Sequence, residues 1–290
     1  MPAFLFNSLF RLFALLPLSM LHSLGILLGH LTYVSSPQYA KRTRENLRQA
    51  SLFASEDQYC HMLSISIAET GKSLVELPWI WGQPCEKVLD KVHECIGMEH
   101  IQAAQANGNG IIFLTPHLGC FEISALYAAQ RMPITVLYRP PKLGWLENVM
   151  RKGRERGQAK LAKADVGGVR LLYKALRRGE AIGLLPDQVP GRGEGEWAEF
   201  FGRPAYTMTL AGRLAQSSGA AVLMTYSERL PQGRGYIIRV EPLSLDFSQS
   251  LSRQINTALE RVIRACPTQY LWSYNRYKIP RGASMPDAQA

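Results

Sequence analysis

The sequence is poor in charge and lacks the short motifs that would assign a metal or a covalent nucleophile. Only 19% of its residues are charged, and from Leu12 to Ala40 there is no Lys, Arg, Asp or Glu. Its five cysteines, Cys60, Cys85, Cys95, Cys120 and Cys266, are odd in number, widely spaced and free of any C-x-x-C pair. That pattern argues against both a zinc site and a disulfide framework, and gives the body a cytosolic reading. None of the six histidines (His22, His30, His61, His93, His100, His117) stands in an H-E-x-x-H or another close pair at metal-ligand spacing, which argues against a metalloenzyme. No G-x-S-x-G occurs, which leaves the nucleophile elbow of an α/β-hydrolase without support. No internal repeat, low-complexity tract or long linker interrupts the chain.

What is present is a 290-residue chain, 47% hydrophobic, long enough to bury a substantial core. Thirty-three Lys and Arg against 23 Asp and Glu leave a formal charge of +10, which favours an anionic partner such as nucleic acid, phospholipid or an acidic protein. Leu12 to Val34 is mostly apolar and reaches the roughly 20 residues that a bilayer-crossing helix needs. Pro17, Ser19, His22, Ser23, Gly25, Gly29 and His30 weaken it, so a helix lying in one leaflet is the alternative. A cleaved signal peptide fits less well, because only Arg11 precedes the run and no A-x-A site follows it. Lys41, Arg42, Arg44 and Arg48 come directly after, and this positive bias puts the body on the cytoplasmic face. Residues 1–40 are therefore expected to form an N-terminal hydrophobic membrane-associating segment, and residues 41–290 the body.

Residues 55 to 77 predict a helix: Ser55 caps it, Glu56 and Asp57 suit the first turn, and Met62, Ile65, Ala68, Leu74 and Leu77 approximate one apolar face, with Pro78 ending it. Inside it, Gly71-Lys72-Ser73 mimics the end of a phosphate-binding loop, but Ser66 stands where G-x-x-x-x-G-K-[ST] needs a glycine. Beyond Lys87, short apolar runs at Ile111–Leu114, Ile134–Leu137, Ala181–Leu185, Ala220–Thr225 and Tyr236–Val240 read as strands with amphipathic stretches between several of them. The expected fold is α/β, a mixed sheet flanked by helices.

The most informative segment is Ile111–Leu114 followed by Thr115-Pro116-His117-Leu118-Gly119-Cys120-Phe121-Glu122, where a strand ends and a helix begins. Active sites of α/β proteins favour such junctions. On an ideal helix His117 and Glu122 lie about 140° apart and cannot meet. His117 must then precede the regular helix, with Gly119 easing the turn, for its ring to fold back toward Glu122. A carboxylate on one imidazole nitrogen fixes the tautomer and raises the basicity of the other, which takes a proton from a hydroxyl. Cys120 beside the histidine offers a competing acyl-enzyme route.

The Thr115–Glu122 segment resembles the H-x4-[DE] signature of the lysophospholipid acyltransferase superfamily, and in particular its lipid A late acyltransferase branch, the lauroyl and myristoyl transferases. Further blocks agree in order: Val136-Leu137-Tyr138-Arg139-Pro140; Gly168-Val169-Arg170 through Glu180; Gly183-Leu184-Leu185-Pro186-Asp187-Gln188; Phe200-Phe201-Gly202-Arg203-Pro204-Ala205; and Trp272-Ser273-Tyr274-Asn275-Arg276-Tyr277-Lys278. The likeness spans roughly residues 88 to 278. It departs mildly, with Phe121 where a tryptophan is more usual and Tyr277 where Phe is common. The resemblance implies transfer of a fatty acyl chain, from acyl carrier protein, to a hydroxyl of a membrane-bound lipid A precursor at the inner membrane, with no metal or bound cofactor. Under it His117 is the general base, Glu122 its orienting partner, and direct attack replaces a Cys120 intermediate. Oxyanion donors are either backbone N–H groups at the start of the Gly119 helix or Arg170.

Arg139 and Arg170 are candidates for binding phosphate or acceptor, since guanidinium forks take phosphate bidentately. Asp187 follows an apolar strand and supports Arg170 or the base, or only caps a turn. Between Arg139 and Lys163 stand Arg139, Lys142, Arg151, Lys152, Arg154, Arg156, Lys160 and Lys163 against Glu147 and Glu155 alone. An acidic acyl carrier protein, acceptor phosphates or anionic membrane lipid suit this stretch; no aromatic-interleaved platform accompanies it, so nucleic acid is not expected. Pro190–Glu196 reads as a flap beside the site, and Phe200 and Phe201 as either acyl-channel lining or core.

Overall fold

A computed structural model describes residues 3–141 and 144–284. Lys142 of the basic stretch, and residues 1–2 and 285–290 of the two expected units, lie outside the described residues. The chain opens with helices α1 (Ala3–Leu15), α2 (Leu18–Ser35), α3 (Pro37–Ala50) and the long α4 (Glu56–Gly82). There follow α5 (Cys85–Leu89), β1 (Val92–Ile96), α6 (Met98–Asn107), β2 (Ile111–Leu114), α7 (Phe121–Ala129), β3 (Ile134–Tyr138), α8 (Gly144–Arg154), β4 (Ala159–Lys163), α9 (Val166–Arg177) and β5 (Ala181–Leu184). The order closes with β6 (Gly195–Phe200), β7 (Arg203–Met208), α10 (Leu210–Ser218), β8 (Ala221–Arg229), β9 (Tyr236–Pro242) and α11 (Leu251–Ala265).

Seven strands form one sheet in the order β1-β9-β8-β2-β5-β3-β4, and β6 and β7 make a separate antiparallel hairpin. Strands β8, β2, β5, β3 and β4 run parallel, β9 is antiparallel to β8, and β1 runs with β9, so the sheet is mixed as expected. All five apolar runs read as strands lie in it. Strands β2 and β5 are buried at every residue because helices cover both faces. Ile112 and Leu114 of β2 face one cluster, with Leu259 and Ile263 of α11, while Ile111 and Phe113 face another, with Ile123 of α7 and Trp79 of α4.

Ser55 caps α4 as expected, its hydroxyl accepting from the Gln58 N–H at 3.2 Å. The helix does not end at Pro78 but runs on to Gly82. A proline inside a helix removes one backbone donor and costs about 3 kcal/mol. Burial of Trp79 and Ile80 in the core offsets that cost and carries the helix past it. The Gly71-Lys72-Ser73 triplet serves packing: a Cβ on Gly71 would strike the carbonyl oxygen of Gly25 and the backbone of Gly29, so α2 and α4 cross backbone to backbone. Below this crossing Arg229, at the end of β8, donates to Glu76 at 2.7 Å, to the Ser73 hydroxyl at 2.7 Å and to the Gly119 carbonyl at 2.8 Å. His22 lies 2.7 Å from Glu76, and the Tyr236 hydroxyl donates to it at 2.9 Å. Burial alone would raise the Glu76 pKa, but Arg229 and His22 more than offset this and hold it at about 2.

Candidate active site

His117 stands three residues past the end of β2, and Asp187 three residues past the end of β5. These neighbouring strands are parallel and in register, Leu114 beside Leu184, so the two loops leave the sheet side by side. His117 Nδ1 lies 2.9 Å from Asp187 Oδ1, and the His117 backbone N–H donates to Asp187 Oδ2 at 2.9 Å. Asp187 is buried, which would raise its pKa; the charge and hydrogen bonds of His117 outweigh burial and hold it below the ordinary aspartate value. With Nδ1–H committed to this carboxylate, Nε2 carries the free lone pair and accepts from the side-chain amide of Gln188 at 3.2 Å. Phe121 packs against the imidazole with ring centroids 4.9 Å apart.

The orienting contact expected of Glu122 is therefore made by Asp187. Glu122 sits in the first turn of α7, and its carboxylate turns toward α8 and α4. There it accepts from Arg154 Nε at 2.9 Å, from Arg154 Nη2, and from the Trp81 indole N–H at 3.0 Å. Burial opposes its charge, but Arg154 first, then Trp81 and His117, leave its pKa lowered and the group ionised. Of the alternatives for Asp187, the structure places it on the histidine and not on Arg170.

A cavity of about 850 Å³ opens in front of Nε2. His117, Phe121, Glu122, Trp81 and Gln188 line it, with apolar walls from Val136, Leu137, Met150, Leu161 and Val169 and guanidinium groups from Arg139, Arg154, Arg156, Arg170 and Arg213. Arg154 and Arg156 are committed, the latter to the carbonyls of Ile80, Gln83 and Gly153. Arg139, Arg170 and Arg213 are exposed, and among the described residues their side chains have no hydrogen-bond or ion-pair partner. Thus His117, Glu122, Arg139 and Arg170 share one cavity, with Asp187 behind the histidine. Sequence reasoning did not single out Trp81, Arg154, Gln188 or Arg213 for this site. Gln188 carried a signal, closing the same block as Asp187; Arg213 and Trp81 carried none short of the fold.

The loop from His117 to Cys120 has no spare amide for an oxyanion. Its N–H groups donate to Asp187, to the carbonyl of Pro116 at 2.7 Å, to that of Gln269 at 3.0 Å and to that of Ser227 at 2.7 Å. Gly119, at φ +61°, lets this loop press against Ser227. Cys120 is buried away from the cavity, and burial first, then the Glu76 charge, pushes its thiol pKa well up, which removes the support for an acyl-enzyme route. Phe200 and Phe201 are core residues whose rings pack at a tilt against Tyr277 and Trp272, not channel lining. The C-terminal block fixes the loop behind Gln188, since the Val189 N–H donates to the Tyr274 hydroxyl at 2.9 Å. Of the flap, Pro190, Gly193 and Glu194 line the cavity. Half of the basic stretch is consumed within the fold: Arg151 pairs with Glu155, Lys163 with Glu147, Arg154 with Glu122, and Arg156 is held by backbone carbonyls.

A histidine with one nitrogen fixed and the other facing a large, mostly apolar cavity edged by arginines is the equipment of a group-transfer enzyme for an amphipathic substrate. The chain belongs to the bacterial lipid A biosynthesis acyltransferase family, whose model matches residues 1–279. It is 30% identical over 277 residues to the lipid A biosynthesis lauroyltransferase of Escherichia coli K12, an alignment covering 92% of this chain and 88% of that protein. It is 28% identical over 277 residues to the lipid A biosynthesis palmitoleoyltransferase of the same strain, covering 93% and 89%, and 28% identical over 256 residues to a lipid A biosynthesis acyltransferase of Haemophilus influenzae, covering 86% and 77%. The protein is an acyltransferase, as the blocks in its sequence implied.

Proposed function

We propose that the protein transfers a fatty acyl chain from an acyl thioester on acyl carrier protein to a hydroxyl of a lipid A precursor, at the cytoplasmic face of the inner membrane. The carrying observation is His117, whose Nδ1 is held by Asp187 while Nε2 faces the cavity. The acceptor hydroxyl gives its proton to Nε2 as its oxygen attacks the thioester carbonyl. Asp187 steadies the imidazolium that forms, and the ionised Glu122 adds its field while holding Arg154 and Trp81 in the cavity wall. The developing oxyanion takes hydrogen bonds from the Gln188 amide and Arg170. Collapse breaks the C–S bond, and the departing thiolate takes the proton back from the imidazolium, leaving an ester and a thiol.

The apolar walls suit the acyl chain, and the unpaired forks of Arg139, Arg170 and Arg213 suit phosphate on the acceptor. Exposed Lys152 and Lys160 remain to meet an acidic carrier. Residues 1–40 hold the body at the membrane. The test is mass spectrometry after incubating the detergent-purified protein with an acyl carrier protein donor and a panel of acceptors. A gain of one acyl mass on a tetra-acylated lipid A precursor is the expected result; a gain only on a lysophospholipid, amino-acid lipid or glycolipid moves the acceptor, and lipid binding without any product overturns the catalytic reading.

A further inference from the structure

Helices α1 and α2 expose an apolar surface that no other element among the described residues covers. Leu12 is 56% exposed, Leu15 76%, Leu27 65%, Leu31 60% and Val34 81%. The first 44 residues contain no Asp or Glu, while Arg11 stands before this surface and Lys41, Arg42 and Arg44 after it. An apolar face edged by cations and free of acidic groups is complementary to one leaflet carrying anionic headgroups, and to little else in water.

The opposite face of α2 decides how it meets that leaflet. Leu18, Leu21, His22, Gly25 and Gly29 are buried on it, and Gly25 and Gly29 touch α4 at Lys72, Ile67 and Gly71. At 18 residues α2 is about 27 Å long, so a crossing of the roughly 30 Å hydrocarbon layer would use all of it. Lys72, paired with Glu69, lies beside Gly25, and the Arg229–Glu76 pair lies beside His22 one turn earlier, so a crossing would carry both pairs into the hydrocarbon layer together with the end of β8. Both ends of α2 are also tied to the body. Ser19 abuts Gly233 in the β8–β9 turn, the Tyr33 hydroxyl accepts from Arg44 at 2.8 Å, and Asn46 of α3 donates to the carbonyls of Trp272 and Tyr274 at 2.7 Å each. Helix α1 folds back along α4, with Phe10 stacked on Trp81 at 6.4 Å.

We propose that α1 and α2 lie in the plane of one anionic leaflet as a hairpin, with Ser8 and Ser284 both on the body's side, and do not cross the bilayer. The inference rests on the proposed action at a membrane and specifies its geometry. It sets the leaflet beside Trp81, which lines the catalytic cavity, so a lipid acceptor reaches His117 past α1 without leaving the membrane.

The test uses the full chain with exposed or half-buried thiols removed (Cys60→Ser, Cys85→Ser, Cys95→Ser) and a single cysteine restored by Ser8→Cys or Ser284→Cys. Membrane vesicles of either orientation are treated with a membrane-impermeant maleimide. Both positions are expected to react in inverted vesicles only; reaction of Ser8→Cys only in right-side-out vesicles, with Ser284→Cys reacting only in inverted ones, overturns the hairpin. In parallel, Leu12→Glu, Leu27→Glu and Leu31→Glu together, all exposed and so compatible with folding by circular dichroism, are expected to weaken binding to phosphatidylglycerol vesicles about tenfold or more. Unchanged binding contradicts the proposal. Acyl transfer to a detergent-dispersed acceptor separates the two readings: turnover with opposite-side labelling sinks the hairpin alone, and same-side labelling without turnover sinks the proposed reaction alone.

Discussion

A buried carboxylate selects which nitrogen of His117 is free to act, and the selection comes from strand register, not from the local motif. His117 was legible in the sequence because it follows an apolar strand inside an H-x4-E pattern. Asp187 was legible only as one of several alternatives, support for the base, for Arg170 or for a turn, because its contact with His117 joins residues 70 positions apart whose meeting depends on Leu114 lying beside Leu184. Replacing Asp187 with Asn puts an amide where Nδ1–H needs an anionic acceptor, and turnover is expected to fall by about 10²-fold or more with the fold retained, as read by kcat alongside circular dichroism. Gln188→Ala removes the donor facing the reacting centre and should lower kcat by about 10²–10³-fold with little change in donor KM. Cys120→Ser is expected to leave turnover intact, since the thiol is buried outside the cavity; a large loss measured in the same assay contradicts direct attack.

Among the elements, α4 connects the parts. One side meets α2 at glycines, its length carries Glu69 and Glu76 to Arg229, and its last turn offers Trp81 to Glu122. The sequence marked its start through Ser55 but not its end, because Pro78 is outweighed by the burial of Trp79 and Ile80. Gly71→Leu forces side-chain atoms against the α2 backbone and is expected to cost about 1–3 kcal/mol, seen as a lower Tm in detergent. Glu76→Gln leaves Arg229 buried with its charge less compensated and should cost about 3–5 kcal/mol. The pH dependence follows from the depressed pKa of Glu76. Its contribution is complete above the ordinary carboxylate value of 4.5 and is lost as pH falls toward about 2. Unfolding midpoints measured across that range should therefore drop more steeply for the native protein than for Glu76→Gln.

At the scale of the whole molecule, the five strands that were legible are the five inner ones of the seven-stranded sheet, and their burial is what makes them readable. Strands β1 and β4 lie at its two edges, carry mixed polar and apolar residues, and gave no continuous apolar run. The charge-rich stretch after Arg139 looked like a docking face because sequence cannot show pairing. Folding spends half of it on Glu122, Glu147, Glu155 and backbone carbonyls; Lys152 and Lys160 stay exposed, and Arg139 joins Arg170 and Arg213, from farther along the chain, at the cationic edge of the cavity. The account turns on His117 as the base that activates an acceptor hydroxyl inside that cavity. The most direct measurement is the rate of acyl-ester formation on a tetra-acylated lipid A precursor by native protein and by His117→Ala, both shown to be folded, with an acyl carrier protein donor. The account predicts product from the native protein and a loss of about 10²–10⁴-fold or more in the variant. Equal rates from the two would contradict it.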